Sequence, residues 1–357
     1  LAEQGFEDVM IVMIAGLGSI GRRHLRNLKT LGVNDILLYR TRLSTLPEDE
    51  LAGLPVFTDL GEALAQKPDG VVVSNPSSEH MKVAIPAALA GCHLLIEKPL
   101  STDLDEIGNL RKAVEATGAR ALAGFHFRHH PVLKRIKKLL ESGEIGTVLS
   151  AKAHWGEYLP GWHPWEDYRQ SYAARKDLGG GAVNTLSHPL DYLRWLAGEV
   201  RGVSALTGQV SSLEIDVEDN AEITLAFESG AFGTVHLDYY QRPATHTLAI
   251  TCSKGRVTWD NATGSADVYF DDDGSWQRFE PADDFERNAL FLEEMRHFLA
   301  VCRGDEAPVC TLEDGFAAQA IASAAHESSA SRGQMVAIAG QTRQNGRIVG
   351  AQNQEEK

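Results

Sequence analysis

Ile11-Val-Met-Ile-Ala-Gly16-Leu-Gly18-Ser-Ile-Gly21-Arg-Arg-His24 decides the reading of the chain. An apolar run enters Gly16-x-Gly18-x-x-Gly21 directly, and Leu25, Leu28 and Leu31 then recur at three-residue spacing until Gly32. A buried strand feeding a glycine turn, and the turn feeding a helix, is the context that makes a loose glycine pattern a dinucleotide fingerprint. Gly16 permits the tight turn, Gly18 leaves the backbone open to a pyrophosphate, and Gly21 lets helix and strand pack closely. Leu17, Ser19 and Ile20 complete the turn. The helix N-terminus then offers N–H groups and the positive end of its dipole to phosphates.

Working outward, 357 residues suffice for two domains, each with its own core. The division expected is 10–124 and 125–340, with residues 1–9 a tag or extension ahead of Met10 and 341–357 a polar, loose tail. An apolar content of 43% with 23% charged residues is that of a globular protein. A net charge of −15 without a long basic run argues against nucleic acid and anionic membrane surfaces as partners. No apolar run approaches the roughly 18 residues of a membrane span, and the start lacks a secretory pattern. Cys92, Cys252, Cys302 and Cys310 form no close pair and no metal-ligand spacing. Disulfides and structural zinc are therefore not expected, and the cytoplasm is the expected compartment.

The second strand, Asp35–Tyr39, leads into Arg40-Thr41-Arg42. NAD-preferring enzymes place a carboxylate about 20 residues past the glycines, on the ribose 2′-hydroxyl. Two guanidiniums and a hydroxyl suit a 2′-phosphate instead, so NADP is expected ahead of NAD. Decoration of a surface loop is the alternative role for these arginines. Gly70-Val-Val-Val-Ser-Asn75-Pro76 is a buried strand ending in a polar loop, which places Asn75, Pro76 and His80 at the cofactor crevice. His80 also opens a helix, so a local capping role is equally open to it. The fifth strand runs from His93 into Glu97-Lys98-Pro99. Lys98 stands at a strand tip, kept extended by Pro99. A lysine in a partly desolvated crevice can exchange protons, and Glu97 beside it is its alternative partner. A sixth strand, Ala119–Gly124, closes this domain.

The chain resembles the glucose–fructose oxidoreductase, inositol dehydrogenase and rhizopine-catabolism (Gfo/Idh/MocA) family. The resemblance rests on Gly16-Leu-Gly18-Ser-Ile-Gly21 with His24, on Asn75-Pro76 with His80, and on Glu97-Lys98-Pro99, and it continues to about Ile338. It implies an NAD(P)-dependent oxidoreductase in which the Glu-Lys-Pro lysine works at the reacting carbinol, and association into dimers or tetramers.

Phe125-His-Phe-Arg128-His-His130-Pro131 looks like the family's entry to the substrate domain, which implies that His126 and Arg128 face substrate. His126, His129 and His130 lack a carboxylate or thiolate set, so no metal is expected there. After a first strand, Gly146–His154, the segment Trp155–Arg169 reads as a loop whose aromatic faces suit a sugar ring. Tyr158, Trp162, His163 and, just beyond, Tyr172 are its candidate substrate contacts, with loop packing or a subunit contact as the other use. From Ala182 the chain reads as one helix, with Asn184, His188 and Asp191 on one face and a distortion at Pro189. A histidine in an apolar helix is ordinarily structural. The resemblance implies instead that His188 is the family's catalytic histidine, and that Asn184 stands where the family has Asp. Short alternating segments between Val200 and Phe279, separated by turn signals, read as an antiparallel sheet of five or more strands.

The expected fold is thus α/β plus α+β: an N-terminal Rossmann parallel sheet, then a mainly antiparallel open sheet covered by helices on one face. The expected activity is hydride transfer between nicotinamide and a carbinol carbon of a sugar, sugar nucleotide or cyclitol. Lys98 and His188 would handle the proton, Asn184 would bind substrate, and the other sheet face would join a homodimer or homotetramer. A redox-neutral enzyme with tightly held cofactor and a non-catalytic NAD(P)-bound sensor are the rival readings.

Overall fold

The computed structural model describes residues 10–41, 49–338, 342–344 and 347–349. Arg42, residues 1–9 and most of the tail lie outside the described residues. The chain divides into two compact units that interleave along the sequence. One comprises the chain up to Leu133 with Ser171–Gly180 and Ala282–Gln319; the other comprises Lys134–Gln170, Gly181–Pro281 and the chain from Ala320.

The first unit alternates strand and helix: β1 (Val12–Ala15), α1 (Ser19–Thr30), β2 (Ile36–Tyr39), β3 (Val56–Phe57), α2 (Leu60–Leu64), β4 (Gly70–Val73), α3 (His80–Leu89), β5 (His93–Glu97), α4 (Leu104–Thr117) and β6 (Ala121–Gly124). The six strands form a parallel sheet in the order β3-β2-β1-β4-β5-β6. Every residue of β1, β4 and β6 is buried, as a parallel sheet covered on both faces requires. Helix starts follow local chemistry. Asp59 Oδ1 accepts from the Glu62 N–H at 2.9 Å to cap α2, and Asp103 Oδ1 accepts from Asp105 N–H at 2.8 Å to cap α4. Strand order reverses between β1 and β4, which makes the carboxyl ends of those strands a ligand crevice.

After α5 (Pro131–Ser142), the second unit is built on β7 (Val148–Gly156), with α6 (Ala182–Thr185) and α7 (His188–Ala197) preceding seven further strands. These are β8 (Val200–Gly208), β9 (Asn220–Phe227), β10 (Phe232–Asp238), β11 (Thr245–Cys252), β12 (Gly255–Asp260), β13 (Ser265–Phe270) and β14 (Ser275–Phe279). The chain then gives the first unit α8 (Arg287–Arg303), whose Met295, Phe298, Leu299 and Val301 pack with Val12, Ile14 and Leu25. It closes with α9 (Leu312–Ala330) and β15 (Val336–Ala337). The nine-stranded sheet runs β14-β13-β12-β11-β7-β10-β9-β8-β15, antiparallel except for the parallel pair β7–β10. On β7, Ala151, Ala153 and Trp155 are buried, while Ser150, Lys152 and His154 lie on the open face. Helix α7 covers the buried face at β7. In the tail, Thr342–Gln344 and Arg347–Val349 pair antiparallel.

Two local readings are corrected. The helix expected from Ala182 onward is two helices broken at Leu186–Ser187. Pro189 has no N–H to continue the ladder and its ring collides with the carbonyl four residues back, so it fits only in the first turn of a new helix, where it stands. Asn184 and His188 therefore belong to different helices. Trp155, expected in a loop, is the penultimate residue of β7 and is buried. The alternation of the strand carries on through it and turns it inward.

Candidate active site

In the first unit the glycine turn is sterically committed. Gly16 has φ +94°, and a Cβ there would meet the Asn75 backbone; a Cβ at Gly21 would meet the Gly16 carbonyl. At Gly18 a Cβ would have nothing within 4 Å, so the backbone is bare. Gly18 caps α1 with no side-chain cap and no acid in the first turn. Leu17 and Gly21 are buried, and Ser19 is exposed. Ser74, at the end of β4, donates its hydroxyl toward the Ala15 and Gly16 carbonyls at 3.1 and 2.9 Å, which ties the two strand tips together. Asn75 Oδ1 is buried without a hydrogen-bond partner among the described residues, a position that a donor on a bound group would satisfy. Bare glycine backbone, an open helix N-terminus and an unsatisfied Asn75 acceptor together fit a dinucleotide.

Around the β5 tip the sequence reading missed part of the arrangement. Glu97 is buried, and its Oε1 lies 2.7 Å from His24 Nε2; the Lys98 N–H donates to Glu97 Oε2 at 3.3 Å. Glu294, from α8, brings a second buried carboxylate close to His24 and Glu97. Burial pushes Glu97 up, but the His24 hydrogen bond and the charges of His24, Lys98 and His80 outweigh it and leave its value lowered. Burial, then the Glu97 charge, raises Glu294 well above the carboxylate range, so it favours the protonated form. His24 and Glu294 had no place among the expected site residues. His24 carried a signal in the glycine-turn motif, whereas Glu294 carried none.

His80 is buried with Nε2 2.8 Å from the Asn75 carbonyl and Nδ1 3.2 Å from the Leu100 carbonyl, bracing the loops after β4 and β5. Its imidazole is lowered by burial, against the opposing pull of those carbonyls and Glu97. Pro76 leads into the turn before α3. Arg40 is buried at the end of β2, while Thr41 is exposed. His126 packs against Phe291, with ring centroids 4.1 Å apart. Burial first, then Arg287, Lys98, Arg23 and His129, hold it well below the usual range. Arg128 is buried, with an Nη2–Oδ1 distance of 3.2 Å to Asp314 and a hydrogen bond to the Val309 carbonyl, so it braces the first unit. Tyr172 also falls in this unit, half-buried.

In the second unit, His188 opens α7 and is buried. Its ring stacks on Trp155 with centroids 5.6 Å apart, and Trp155 lies nearly parallel to His246 at 4.2 Å. His246 Nε2 is 3.3 Å from the Tyr192 hydroxyl. Trp155, His246 and Tyr192 are thus the supports of His188 that sequence spacing did not reveal. Asn184 is buried in α6, whose first N–H groups are held by Glu218: Ala182 N–H donates to its carbonyl and Val183 N–H to its carboxylate. Tyr158 lies under the Arg242 guanidinium at 4.1 Å, Trp162 meets Tyr239 edge-on at 5.6 Å, and His163 is 5.3 Å from Trp165.

A parallel sheet in this order, with a sterically enforced glycine turn at β1–α1, defines a dinucleotide-binding protein. Residues 10–125 match the family profile described as "Oxidoreductase family, NAD-binding Rossmann fold", and residues 133–258 match the "GFO/IDH/MocA C-terminal domain". The chain belongs to the GFO/IDH/MocA oxidoreductase family. It is 28% identical over 339 residues to a myo-inositol 2-dehydrogenase of Thermotoga maritima, covering 89% of this chain and 96% of that protein. It is 26% identical over 291 residues to an NADP(+) D-xylose 1-dehydrogenase of Haloferax volcanii, covering 79% and 84%. The structure of levoglucosan dehydrogenase in complex with NADH superposes with a TM-score of 0.82 at 21% identity, covering 92% of this chain and 98% of that one. Among the described residues no helix is long and apolar enough to cross a membrane.

Proposed function

We propose that this oxidoreductase moves a hydride between a nicotinamide cofactor and a carbinol carbon of a sugar, sugar nucleotide or cyclitol. The observation that carries the reading is the β5 tip. Lys98 stands at the carboxyl end of a parallel strand, on a backbone that Glu97 and His24 fix from beneath. A bound nicotinamide supplies the hydride acceptor or donor. The chain's own tasks are to hold the dinucleotide on Gly16–Gly21, Asn75 and Pro76, to bind the substrate hydroxyls, and to move the carbinol proton. Lys98 holds the carbinol oxygen and exchanges its proton; His188 is the second proton-handling group. Asn184 binds a substrate hydroxyl, since an amide cannot relay a proton. The aromatic segment with Tyr158, Trp162 and His163 offers ring faces to a sugar. The names of the relatives, inositol, xylose and levoglucosan dehydrogenases, support the substrate class.

NADP is preferred over NAD in this reading, because Arg40 and Thr41 follow β2 where an NAD enzyme would place a carboxylate. The chain assembles as a homodimer or homotetramer through the Val200–Phe279 sheet. The test is a turnover screen of sugars, cyclitols and sugar nucleotides at 340 nm with NAD and NADP, alongside titration of both cofactors and light scattering. Net cofactor reduction on one substrate class supports the assignment. Copurifying cofactor with no net absorbance change would transfer it to the redox-neutral reading. NAD binding equal to or tighter than NADP, or a monomer at micromolar concentration, would remove those two parts.

A further inference from the structure

The open face of the second sheet carries a cluster that the proposed chemistry does not use. Strand register puts Glu222, His236, His154 and Thr247 in one row across β9, β10, β7 and β11. Asp238 lies two residues beyond His236, on the same face, opposite Gly156 in register. Glycine is needed there, because a Cβ at Gly156 would occupy the space of the Asp238 carboxylate and the Gln241 amide. His236 Nε2 is 3.0 Å from Asp238 Oδ2, His154 Nε2 is 3.9 Å from the same oxygen, and the two imidazoles meet edge-on with centroids 4.5 Å apart. The ligand atoms of His154, His236 and Asp238 all lie within 4.8 Å of one another.

We propose that His154, His236 and Asp238 form a binding site for a divalent transition-metal ion of the zinc class. Two ligands about 2.1 Å from a tetrahedral zinc are about 3.4 Å apart, and the two distances to Asp238 Oδ2 bracket that value. Two imidazoles and a single carboxylate favour zinc-like ions over magnesium or calcium, which take oxygen donors. An outer partner is already in place: Glu222 Oε1 lies 2.5 Å from His236 Nδ1, so it accepts that N–H and turns Nε2 toward Asp238. Gln241 Oε1, 2.7 Å from His154 Nε2, is a neutral oxygen beside the fourth position. Asp238 is itself anchored, accepting the Tyr240 and Gln241 N–H groups on Oδ1 at 3.0 and 2.7 Å, which leaves Oδ2 to the cluster. The site faces a groove of about 550 Å³ lined by Lys152, Thr247, Thr258 and Arg278, on the sheet face through which the chain is proposed to pair.

The test is titration of the full chain with Zn²⁺ by calorimetry and with Co²⁺ by visible absorption. The expected result is one ion per chain and the intense d–d bands of a four-coordinate cobalt. His154→Ala, half-exposed and remote from the core, should abolish stoichiometric binding with an unchanged melting curve. His236→Ala should also abolish stoichiometric binding, and Glu222→Gln should weaken it about 10–100-fold. Absence of stoichiometric binding to the wild-type chain would overturn the proposal, as would binding that survives both histidine variants.

Discussion

Replacing His24 with alanine tests how the β5 tip is held. His24 is fully buried, and its Nε2 lies 2.7 Å from a Glu97 oxygen that is itself almost fully buried. Removing one member of a buried ionic pair costs about 3–5 kcal/mol, because the other charge is left without its partner. Here the loss falls at the lower end, about 3 kcal/mol, because Lys98 still favours the Glu97 anion and because the carboxyl can take a proton. For 357 residues unfolding together that is about 4 °C in melting temperature.

The sign of the pH dependence follows from the direction of the Glu97 shift. In the wild type its folded value is lowered, so it contributes stability above the unfolded value of about 4.3, and that stability is lost as pH falls through the folded value. Without the His24 hydrogen bond, burial dominates and the folded value rises. Glu97 then costs stability at every pH above about 4.3. The gap between variant and wild type is therefore wide at pH 8 and narrow at pH 5. His24→Gln, which keeps an N–H donor, should recover part of it. Calorimetric unfolding at both pH values measures this. An equal loss at pH 5 and pH 8, or a shift under about 2 °C, would refute the argument.

Three further outcomes follow from the same geometry. Lys98→Ala and His188→Ala should each lose roughly 10²–10⁴ in kcat, the scale of a general acid–base group, with cofactor affinity by fluorescence titration nearly intact; Asn184→Ala should mainly raise KM. Gly18→Ala should keep the wild-type melting temperature yet lose dinucleotide affinity, because its Cβ enters open space, whereas Gly21→Ala should lose folded protein, because its Cβ meets the Gly16 carbonyl. Glu294→Gln should become progressively more stable than wild type from pH 5 to pH 8: a carboxyl whose folded value is raised costs stability once pH passes its unfolded value, and an amide removes that cost.

The first unit was legible because its signals are local. An apolar run, three glycines and a following leucine repeat occupy contiguous sequence, although the backbone that Gly16 makes room for is that of Asn75, after β4. The Lys98 strand tip was legible for the same reason. The supports of these groups were not, because they arrive from elsewhere in the chain. Glu294 reaches His24 and Glu97 from a helix that begins at Arg287, and nothing in that helix distinguishes a buried glutamate from its half-buried neighbour Glu293. Trp155 hid in a run of tryptophans, prolines and charges whose composition is that of a loop, although strand alternation continued two residues further than composition suggested. The row Glu222–His236–His154 depends on the parallel pairing of β7 with β10, strands nearly eighty residues apart, and pairing register is invisible to motif spacing.

The proposed role of Lys98 gives the buried charges at the β5 tip a use. Burying a carboxylate, a second carboxyl and an imidazole together is unfavourable next to a well-packed apolar cluster of the same volume. The sheet around them could have supplied such a cluster: Leu94, Leu95 and Ile96 precede Glu97 and are fully buried. What an apolar cluster would lack is direction. Glu97 accepts the N–H of Lys98 on one oxygen and meets His24 of α1 on the other, so the backbone that carries Lys98 is referenced to the helix whose N-terminus begins at the glycine turn. Burial and the Glu97 charge push Glu294 toward its protonated form, in which it adds no second negative charge. In the proposed function Lys98 meets a reacting oxygen at hydrogen-bond distance and would gain from that fixed reference, since small misplacements cost large factors in rate. The stability forgone at Glu294 is the counterpart of that placement. It follows that an apolar replacement of Glu294 should raise the melting temperature while lowering turnover.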